Sequence, residues 1–507
     1  MGQPILAAAA FQAARFNYLL ACLSSLLLIL VFPNFNQTWL APFALTPLLI
    51  AVALEPRPWR RFLMGWIAGI VYWFGVCYWI QFVLSFHGGL GNAAGWAVFL
   101  LFCLAKGLHM AVFALLAGIL MRRWWAIPTV AALWVAVEVT HGWLGFAWLD
   151  LGNAGIDMGV PLRLAPITGV YGLSFIFAAL AAGIALIALR RPRQELLWLA
   201  ATPFLVFLPP MPDQHRARET ALLLQPNISE TAEYTPDSLM TMERQQEILT
   251  LRGVLVAGQK PPEIVVWPEE PAPLYYYQDA QLRDDVNKLA VASRAYLLMG
   301  TVGRTPQNAP LNSAVLISPV GKAVSRYDKV HLVPFGEFVP WPFGFANHIS
   351  TEVGDFAAGS QVVVSPMGTH LIGTFICYES VFPNFVRQFA KNGADVLFTI
   401  SNDGWFGKSA AREQHLDIVR MRAAENWRWV LRAANDGITA TIDPAGRVLA
   451  RLPLYEEATL STGFNFISTQ TAYTRFGDWF PAVCAAIALA GLAAVAILDP
   501  IAKNGGS

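Results

Sequence analysis

Charge is what this 507-residue chain has least of. Charged residues make up 14%, against about 25% in ordinary globular chains. The signs also balance: 35 Lys and Arg against 34 Asp and Glu leave a formal net charge of +1. No global field of that kind gathers nucleic acid. Cysteine is sparse, with five in the chain, and no Cys/His cluster has ligand spacing, so no metal is expected. There is no phosphate-cradling glycine loop and no dinucleotide fingerprint, so no cofactor is expected either. Internal repeats and low-complexity tracts are missing too. What fills the chain instead is apolar: 55% hydrophobic residues, with 18 Trp and 32 Phe and a mean hydropathy of +0.46. Disorder, coiled coil and collagen are excluded by those figures, and aromatic belts at a bilayer surface fit them.

The apolar excess is uneven. Runs that could cross a membrane are Asn17–Phe32, Trp39–Leu54, Phe62–Leu84, Trp96–Leu120, Trp125–Thr140, Pro166–Leu189, Leu196–Leu208 and Phe480–Leu498. Several approach the roughly 20 residues a helical crossing needs. Between Asp213 and Asp478 charges become frequent, and about 260 residues there read as one soluble domain. The expected organisation is seven crossings over 1–212, a soluble domain over 213–478, and an eighth crossing over 479–507. The first run lacks a small-residue cleavage site after it and is expected to stay as an anchor.

Arg and Lys in the short loops set the expected orientation. Arg57, Arg60 and Arg61 follow the second run, Arg122 and Arg123 the fourth, Arg190, Arg191 and Arg193 the sixth, and Lys503 the last. With eight crossings these fall on one side. Both termini then face the cytoplasm and the large domain faces outward, which in a bacterium is the periplasmic side of the inner membrane. Lys106, Glu138 and His141 stand inside or at the end of crossings. Such groups face a partner or a cavity; contact within the bundle is the plainer reading, and a substrate-facing role the other.

In the soluble part, strand-like and helical segments alternate. Ala221–Gln225, Glu263–Trp267, Tyr296–Thr301, Leu371–Ile376 and Val396–Ile400 read as strands, and Ser238–Leu255, Gln281–Arg294, Phe382–Lys391 and Glu413–Asn426 as helices. Ser313–Ser318 and Ala323–Tyr327 flank Pro319-Val320-Gly321, a hairpin signal. Trp429–Ala434, Thr439–Asp443 and Arg447–Arg451 close with β character. Such alternation argues for an α/β layered domain.

Cys377 is the one cysteine of that domain; Cys22, Cys77, Cys103 and Cys484 lie in apolar runs, where they read as packing residues. A lone thiol at the end of an apolar strand, ahead of a helix, suits a nucleophile: the turn exposes the side chain and aims backbone N–H groups at it. A nucleophile also needs a base and a cation. His215, His331, His348, His370 and His415 have no sharp motif. Trp267-Pro268-Glu269-Glu270 puts a carboxylate past a strand end, and the loop Tyr327–Glu337 carries Lys329 and Glu337. A partly buried carboxylate can serve as base, and a nearby ammonium stabilises thiolate and oxyanion.

Glu269, Lys329 and Cys377 in that order resemble the Glu-Lys-Cys triad of the nitrilase superfamily of carbon–nitrogen hydrolases. The resemblance implies an α-β-β-α sandwich. With the apolar runs on both sides, the chain resembles more narrowly the apolipoprotein N-acyltransferase family. The segments that carry this are Gln225-Pro226-Asn227-Ile228, Trp267-Pro268-Glu269, Leu332-Val333-Pro334-Phe335-Gly336-Glu337, Ile376-Cys377-Tyr378-Glu379 and Ser401-Asn402-Asp403-Gly404-Trp405-Phe406-Gly407, with Gly145-Phe146-Ala147-Trp148-Leu149 in the bundle. By that resemblance, a fatty acyl chain passes from a phospholipid, typically phosphatidylethanolamine, to Cys377 as a thioester. It then passes to the α-amino group of an apolipoprotein's N-terminal diacylglyceryl-cysteine. Glu269 would be the base, with Glu270 its rival. Lys329 and the Tyr378 N–H would hold the oxyanion, and Glu337, Tyr378 and Glu379 would support the pocket. The chain departs from the family at Glu233-Tyr234, where Lys-Trp is frequent, at Ala147, and at His141, where Arg is frequent.

Two lipid substrates explain why a catalytic domain is tied to a bilayer, and water must be kept from a thioester. The rings of Phe335, Phe338, Trp341, Phe343 and Phe345, together with Tyr275-Tyr276-Tyr277, are expected to act as interfacial lids; core packing is the alternative. Tyr234 is a further lipid-facing candidate. The competing functions are a membrane-anchored amidase, with water as second nucleophile, and a transporter with an outer binding domain. The transporter is disfavoured because paired charges and an inverted repeat are lacking.

Overall fold

The computed structural model describes residues 3–143, 145–213, 217–229, 234–258, 261–269, 273–338 and 356–498. The chain divides into two compact units. One comprises Met1–Tyr78, Trp96–Pro210 and Phe476–Ser507; the other comprises Trp79–Gly95 and Met211–Arg475.

The first unit is helical. Gly91–Leu120, Val170–Ala188 and Trp479–Leu498 are each long and apolar enough to cross a membrane, and a fourth crossing arises if Pro58–Val76 and Trp79–His87 count as one broken span. Arg15–Val31 and Thr38–Leu54 are shorter apolar helices, as is the 13-residue Ala126–Glu138. The run Leu196–Leu208 is not one helix: it falls within two 3-10 stretches, Arg193–Leu199 and Thr202–Phe207. Pro203 withholds an N–H there and biases the preceding residue away from helix. Length and composition therefore mark three or four crossings among the described residues, fewer than the eight runs of the sequence.

Small residues draw two of these helices together. A Cβ on Gly69 would lie 2.7 Å from Gly107 Cα, so only glycine admits the approach of Pro58–Val76 to Gly91–Leu120. Lys106, on the second of them, donates from Nζ to the Phe146 carbonyl at 3.0 Å and lies 2.5 Å from His141 Nδ1. The rings of Trp73 and Phe146 face the same ammonium at 4.9 and 5.5 Å. Glu138 accepts from the Leu151 N–H at 2.7 Å and from Trp134 Nε1 at 3.1 Å. These polar groups thus fasten the Phe146–Leu151 segment, beside a cavity of about 40 Å³ lined by His109, Glu138, His141 and Trp148.

The second unit is built on two six-stranded sheets, ordered β12-β1-β2-β3-β4-β5 and β11-β10-β9-β8-β7-β6. In the first, β1 (Glu219–Gln225), β2 (Ile264–Val266) and β3 (Tyr296–Arg304) run parallel. The antiparallel strands β4 (Pro310–Ile317), β5 (Ala323–Asp328) and β12 (Ala458–Phe464) flank them. The second repeats the plan: β7 (His370–Ile376), β8 (Val396–Ser401) and β9 (Val430–Ala434) are parallel. Its flanks are β6 (Val364–Met367), β10 (Ala440–Ile442) and β11 (Val448–Arg451). The parallel strands are buried on both faces, as their unbroken apolar runs require.

Helices Pro236–Ala257 and Ala280–Ser293 cover the first sheet; Pro383–Lys391 and Ala411–Asn426 flank the second. Thr235 begins the first of these through a capping box with Ser238, and Pro236 follows at the first helical position, where its missing N–H costs nothing. Asp279 caps the second by accepting from the N–H groups of Gln281 and Leu282. Leu222, Leu224, Val265, Trp267, Val286 and Leu297 fill the layer between sheet and helices, each such fully buried aliphatic contributing roughly 1.5–3 kcal/mol over exposure. The sheets are joined by Thr441 Oγ1 donating to Thr462 Oγ1 at 2.8 Å and by Asn435, which exchanges hydrogen bonds with the Ile228 backbone. The result is a two-sheet, nitrilase-like layering of helix, sheet, sheet and helix.

Trp79–Gly95 belongs to this unit although its neighbours in sequence are bundle helices. Trp79 packs on Phe406 at 5.0 Å and its Nε1 donates to Gln414 Oε1 at 3.3 Å. His87 stacks on Trp405 at 4.3 Å. Gly407 adopts φ +56, and a Cβ there would lie 2.7 Å from the Phe82 ring.

Candidate active site

Three strand ends converge. Glu269 follows β2 after Trp267-Pro268, Lys329 follows β5, and Cys377 follows β7. All three are buried, Lys329 to 1% exposure. Trp267 anchors its turn by donating from Nε1 to Thr250 at 2.9 Å. Lys329 is fastened at both backbone atoms: its N–H donates to the Asn312 carbonyl at 2.8 Å, and its carbonyl accepts from Gly359 at 2.7 Å.

Lys329 Nζ donates to Glu269 Oε1 at 3.0 Å and lies 2.9 Å from Glu337 Oε2. Asn312 Nδ2 bridges the same two carboxylates, at 2.8 Å to Glu269 Oε1 and 2.7 Å to Glu337 Oε1. Backbone N–H groups take the remaining oxygens: Asn402 donates to Glu269 Oε2 at 2.9 Å and Val333 to Glu337 Oε2 at 2.8 Å. Burial alone would lower the Lys329 pKa, but Glu269, Glu337 and Cys377 outweigh it and hold the ammonium well above its usual range.

Cys377 opens a 3-10 turn, Cys377–Val381, at φ +49. Its thiol is pushed up by burial and then by Glu269, against the pull of Lys329; it rests protonated near neutral pH. Glu379, two residues on, is wholly buried. It accepts from the Tyr327 hydroxyl at 2.6 Å, the Val330 N–H at 2.7 Å, the His331 N–H at 3.2 Å and the Ile376 N–H at 2.7 Å. That carboxylate pins the Lys329 loop to the strand that presents Cys377. Burial raises its pKa to about 7 in spite of these donors. Tyr378 packs edge-on against Phe382 at 5.5 Å.

Phe338 adjoins Glu337 and is half-buried, its carbonyl accepting from the Phe335 N–H at 2.7 Å. Tyr234 stands ahead of helix Pro236–Ala257, about half exposed. Trp341, Phe343 and Phe345 lie outside the described residues, as do Glu233 and Glu270. The Tyr275–Tyr277 cluster is not a lid throughout: Tyr276 is a core residue, 2% exposed, with its hydroxyl bonded to Asn287 at 2.8 Å. The reading from sequence missed Asn312, a lone amide in an apolar strand, and the Asn402 N–H. It also missed Asp403, His415 and Arg432, of which Asp403 stands in the quoted Ser401–Gly407 segment.

Residues 219–472 match the family described as Carbon-nitrogen hydrolase, and the two-sheet unit is a domain of that class. Residues 24–183 match the Apolipoprotein N-acyltransferase N-terminal domain. A curated relative from Geobacter metallireducens, named apolipoprotein N-acyltransferase, is 33% identical over 96% of this chain and 95% of its own. One of the same name from Shewanella oneidensis is 30% identical over 92% of this chain and 96% of its own. The chain belongs to the apolipoprotein N-acyltransferase family. Among solved structures, an amidase from Nesterenkonia sp. matches with 18% identity and a TM-score of 0.38, over 50% of this chain and 92% of that one.

Proposed function

We propose that this protein moves a fatty acyl chain from a phospholipid, with phosphatidylethanolamine the expected donor, to the α-amino group of an apolipoprotein's N-terminal diacylglyceryl-cysteine. The supporting observation is the buried cluster in which Lys329 bonds to both Glu269 and Glu337 beside Cys377. The reaction is ping-pong. Because the thiol rests protonated, Glu269 takes its proton as the sulfur attacks the donor's ester carbonyl. The oxyanion is held by Lys329 Nζ and the Tyr378 N–H. On collapse the lysophospholipid oxygen leaves and takes the proton back from Glu269. The lipoprotein amine then attacks the thioester, Glu269 accepts the ammonium proton, and the Cys377 thiolate departs and is reprotonated. Glu337, with Asn312, keeps Lys329 aimed, and Glu379 and Tyr378 support the pocket. Phe338, Tyr234, Trp341 and Phe343 are the lipid-facing candidates.

Membrane placement follows the same reading: eight crossings, both termini cytoplasmic and the two-sheet unit periplasmic in a bacterial inner membrane. The exposure of Leu19, Leu26, Leu101, Ile187, Phe204, Phe207, Leu489 and Ile497 supports a lipid-facing surface, since soluble chains rarely expose so much. Loop charges support the orientation.

The test is to incubate purified protein with phosphatidylethanolamine and a synthetic diacylated lipopeptide. The expected product is lipopeptide heavier by one acyl chain, absent with Cys377→Ser. Free fatty acid or ammonia with unchanged lipopeptide would instead indicate a hydrolase, and retained transfer by Cys377→Ser would overturn the nucleophile.

A further inference from the structure

Cys377 holds a left-handed backbone conformation, φ +49, which a residue with a β-carbon disfavours. Such a conformation persists where its surroundings impose it. The groups around it include His415 and Asp403, the latter just beyond the end of β8. Asp403 is fully buried. It accepts from Arg432 Nη2 at both oxygens, at 2.7 and 2.6 Å, and from the Ser401 hydroxyl at 2.8 Å. Its Oδ1 lies 3.1 Å from His415 Nδ1. The other ring nitrogen, Nε2, lies 3.1 Å from the Cys377 carbonyl oxygen and 2.8 Å from Ser380 Oγ. One carboxylate therefore reaches the backbone of the nucleophile through His415. Between Ser401 and Asp403, Asn402 sends its N–H to Glu269, so the same turn also places the base.

We propose that Asp403, His415 and Arg432 are positioning residues that grip Cys377 at its carbonyl through His415, with Ser401 bracing Asp403, and so fix the sulfur for acyl transfer. Burial works against ionised Asp403, but Arg432 and His415 outweigh it and hold its pKa well below the usual carboxylate range. The anchor keeps its charge throughout the physiological pH range. The inference rests on Cys377 being the nucleophile. This second buried cluster touches the nucleophile through its backbone carbonyl and sets how fast the thioester forms.

The test uses the full-length protein in detergent and reads thioester formation from phosphatidylethanolamine together with the melting temperature. Asp403→Asn and His415→Asn are expected to lower the rate constant about 10- to 100-fold, with the KM for phospholipid within about twofold. His415→Gln places an amide at the reach of Nε2 and is expected to recover to within about fivefold of the parent. Parent-like rates in both Asn variants would overturn the proposal. So would losses that Gln does not rescue and that follow the melting temperature. Should those variants fail to fold, Ser401→Ala decides, since it removes one hydroxyl. Expected is thioester formation slowed at least about fivefold at an unchanged melting temperature; an unchanged rate overturns the grip. Acyl transfer by Cys377→Ser would strike the underlying nucleophile assignment instead, so the two failures are distinct.

Discussion

Two lysines are buried among the described residues, in two different units, and their surroundings differ in charge. Lys329 meets two carboxylates, Glu269 and Glu337. Lys106 meets a ring nitrogen, a carbonyl and two aromatic faces. The anionic partners keep Lys329 a cation, as the proposed mechanism needs at a developing oxyanion, and Asn312 bridges those partners. The neutral partners of Lys106 fasten a loop. A buried ammonium is thus not by itself a catalytic signal; the charge on its neighbours and the nucleophile beside it are what matter.

The largest effect is expected from Lys329→Met, which leaves two buried carboxylates unpaired beside the oxyanion site. Turnover measured by lipopeptide mass gain should fall at least about 10³-fold. Glu269→Gln should cost transfer about as much, roughly 10³-fold, yet change thiol chemistry in the opposite sense. Glu269 raises the Cys377 pKa, so removing its charge increases the thiolate fraction and speeds alkylation by iodoacetamide at pH 8. In the parent, the alkylation rate should still climb beyond pH 9, where an ordinary thiol levels off. Burial is the largest cause of that profile, followed by Glu269, Lys329 and Asp403, and a plateau below pH 9 would contradict the resting thiol.

Asn312→Leu removes the bridge between the carboxylates but leaves all charges in place. A loss of about 10- to 100-fold in kcat with little change in KM is expected. The smallest effect on chemistry belongs to Lys106→Met. Its melting temperature should drop by a few degrees as the loop contact at Phe146 is lost, on the order of 1–3 kcal/mol, while turnover stays within about tenfold. Should Lys106→Met match Lys329→Met in lost turnover at an unchanged melting temperature, the contrast between the two lysines fails.

Much of the soluble unit can be read from the sequence because its parallel strands are buried on both faces. Ile264–Val266, His370–Ile376 and Val396–Ser401 are plain apolar runs with functional residues at their ends. The edge strands are harder: β6 carries Pro366, and β12, Ala458–Phe464, mixes Thr459, Ser461 and Thr462 with apolar residues and is mostly half-buried, so neither has a clear period. The bundle is harder to read for a physical reason too. Apolar runs show where lipid is tolerated, not where a helix continues, and Leu196–Leu208 breaks into 3-10 turns around Pro203. The residues that bind Glu269 and Glu337 were partly hidden because Asn402 acts through its backbone N–H, which every non-proline residue possesses. His415 stands in a helix buried along most of its length and is joined to Cys377 by the fold alone. The assignment of Trp79–Gly95 to the catalytic unit was also out of reach, since its rings look like one more apolar run until Trp405 and Phe406 are seen against them.

The central claim is that Cys377 carries an acyl chain between two lipids. The direct measurement is the intact mass of the protein after mixing with phosphatidylethanolamine, then again after adding diacylated lipopeptide. One hydroxylamine-sensitive acyl adduct on Cys377 is expected, disappearing in step with acylation of the lipopeptide amine. An adduct that decays to free fatty acid while the lipopeptide stays unchanged, or acylated lipopeptide formed with no adduct at any time, would contradict it.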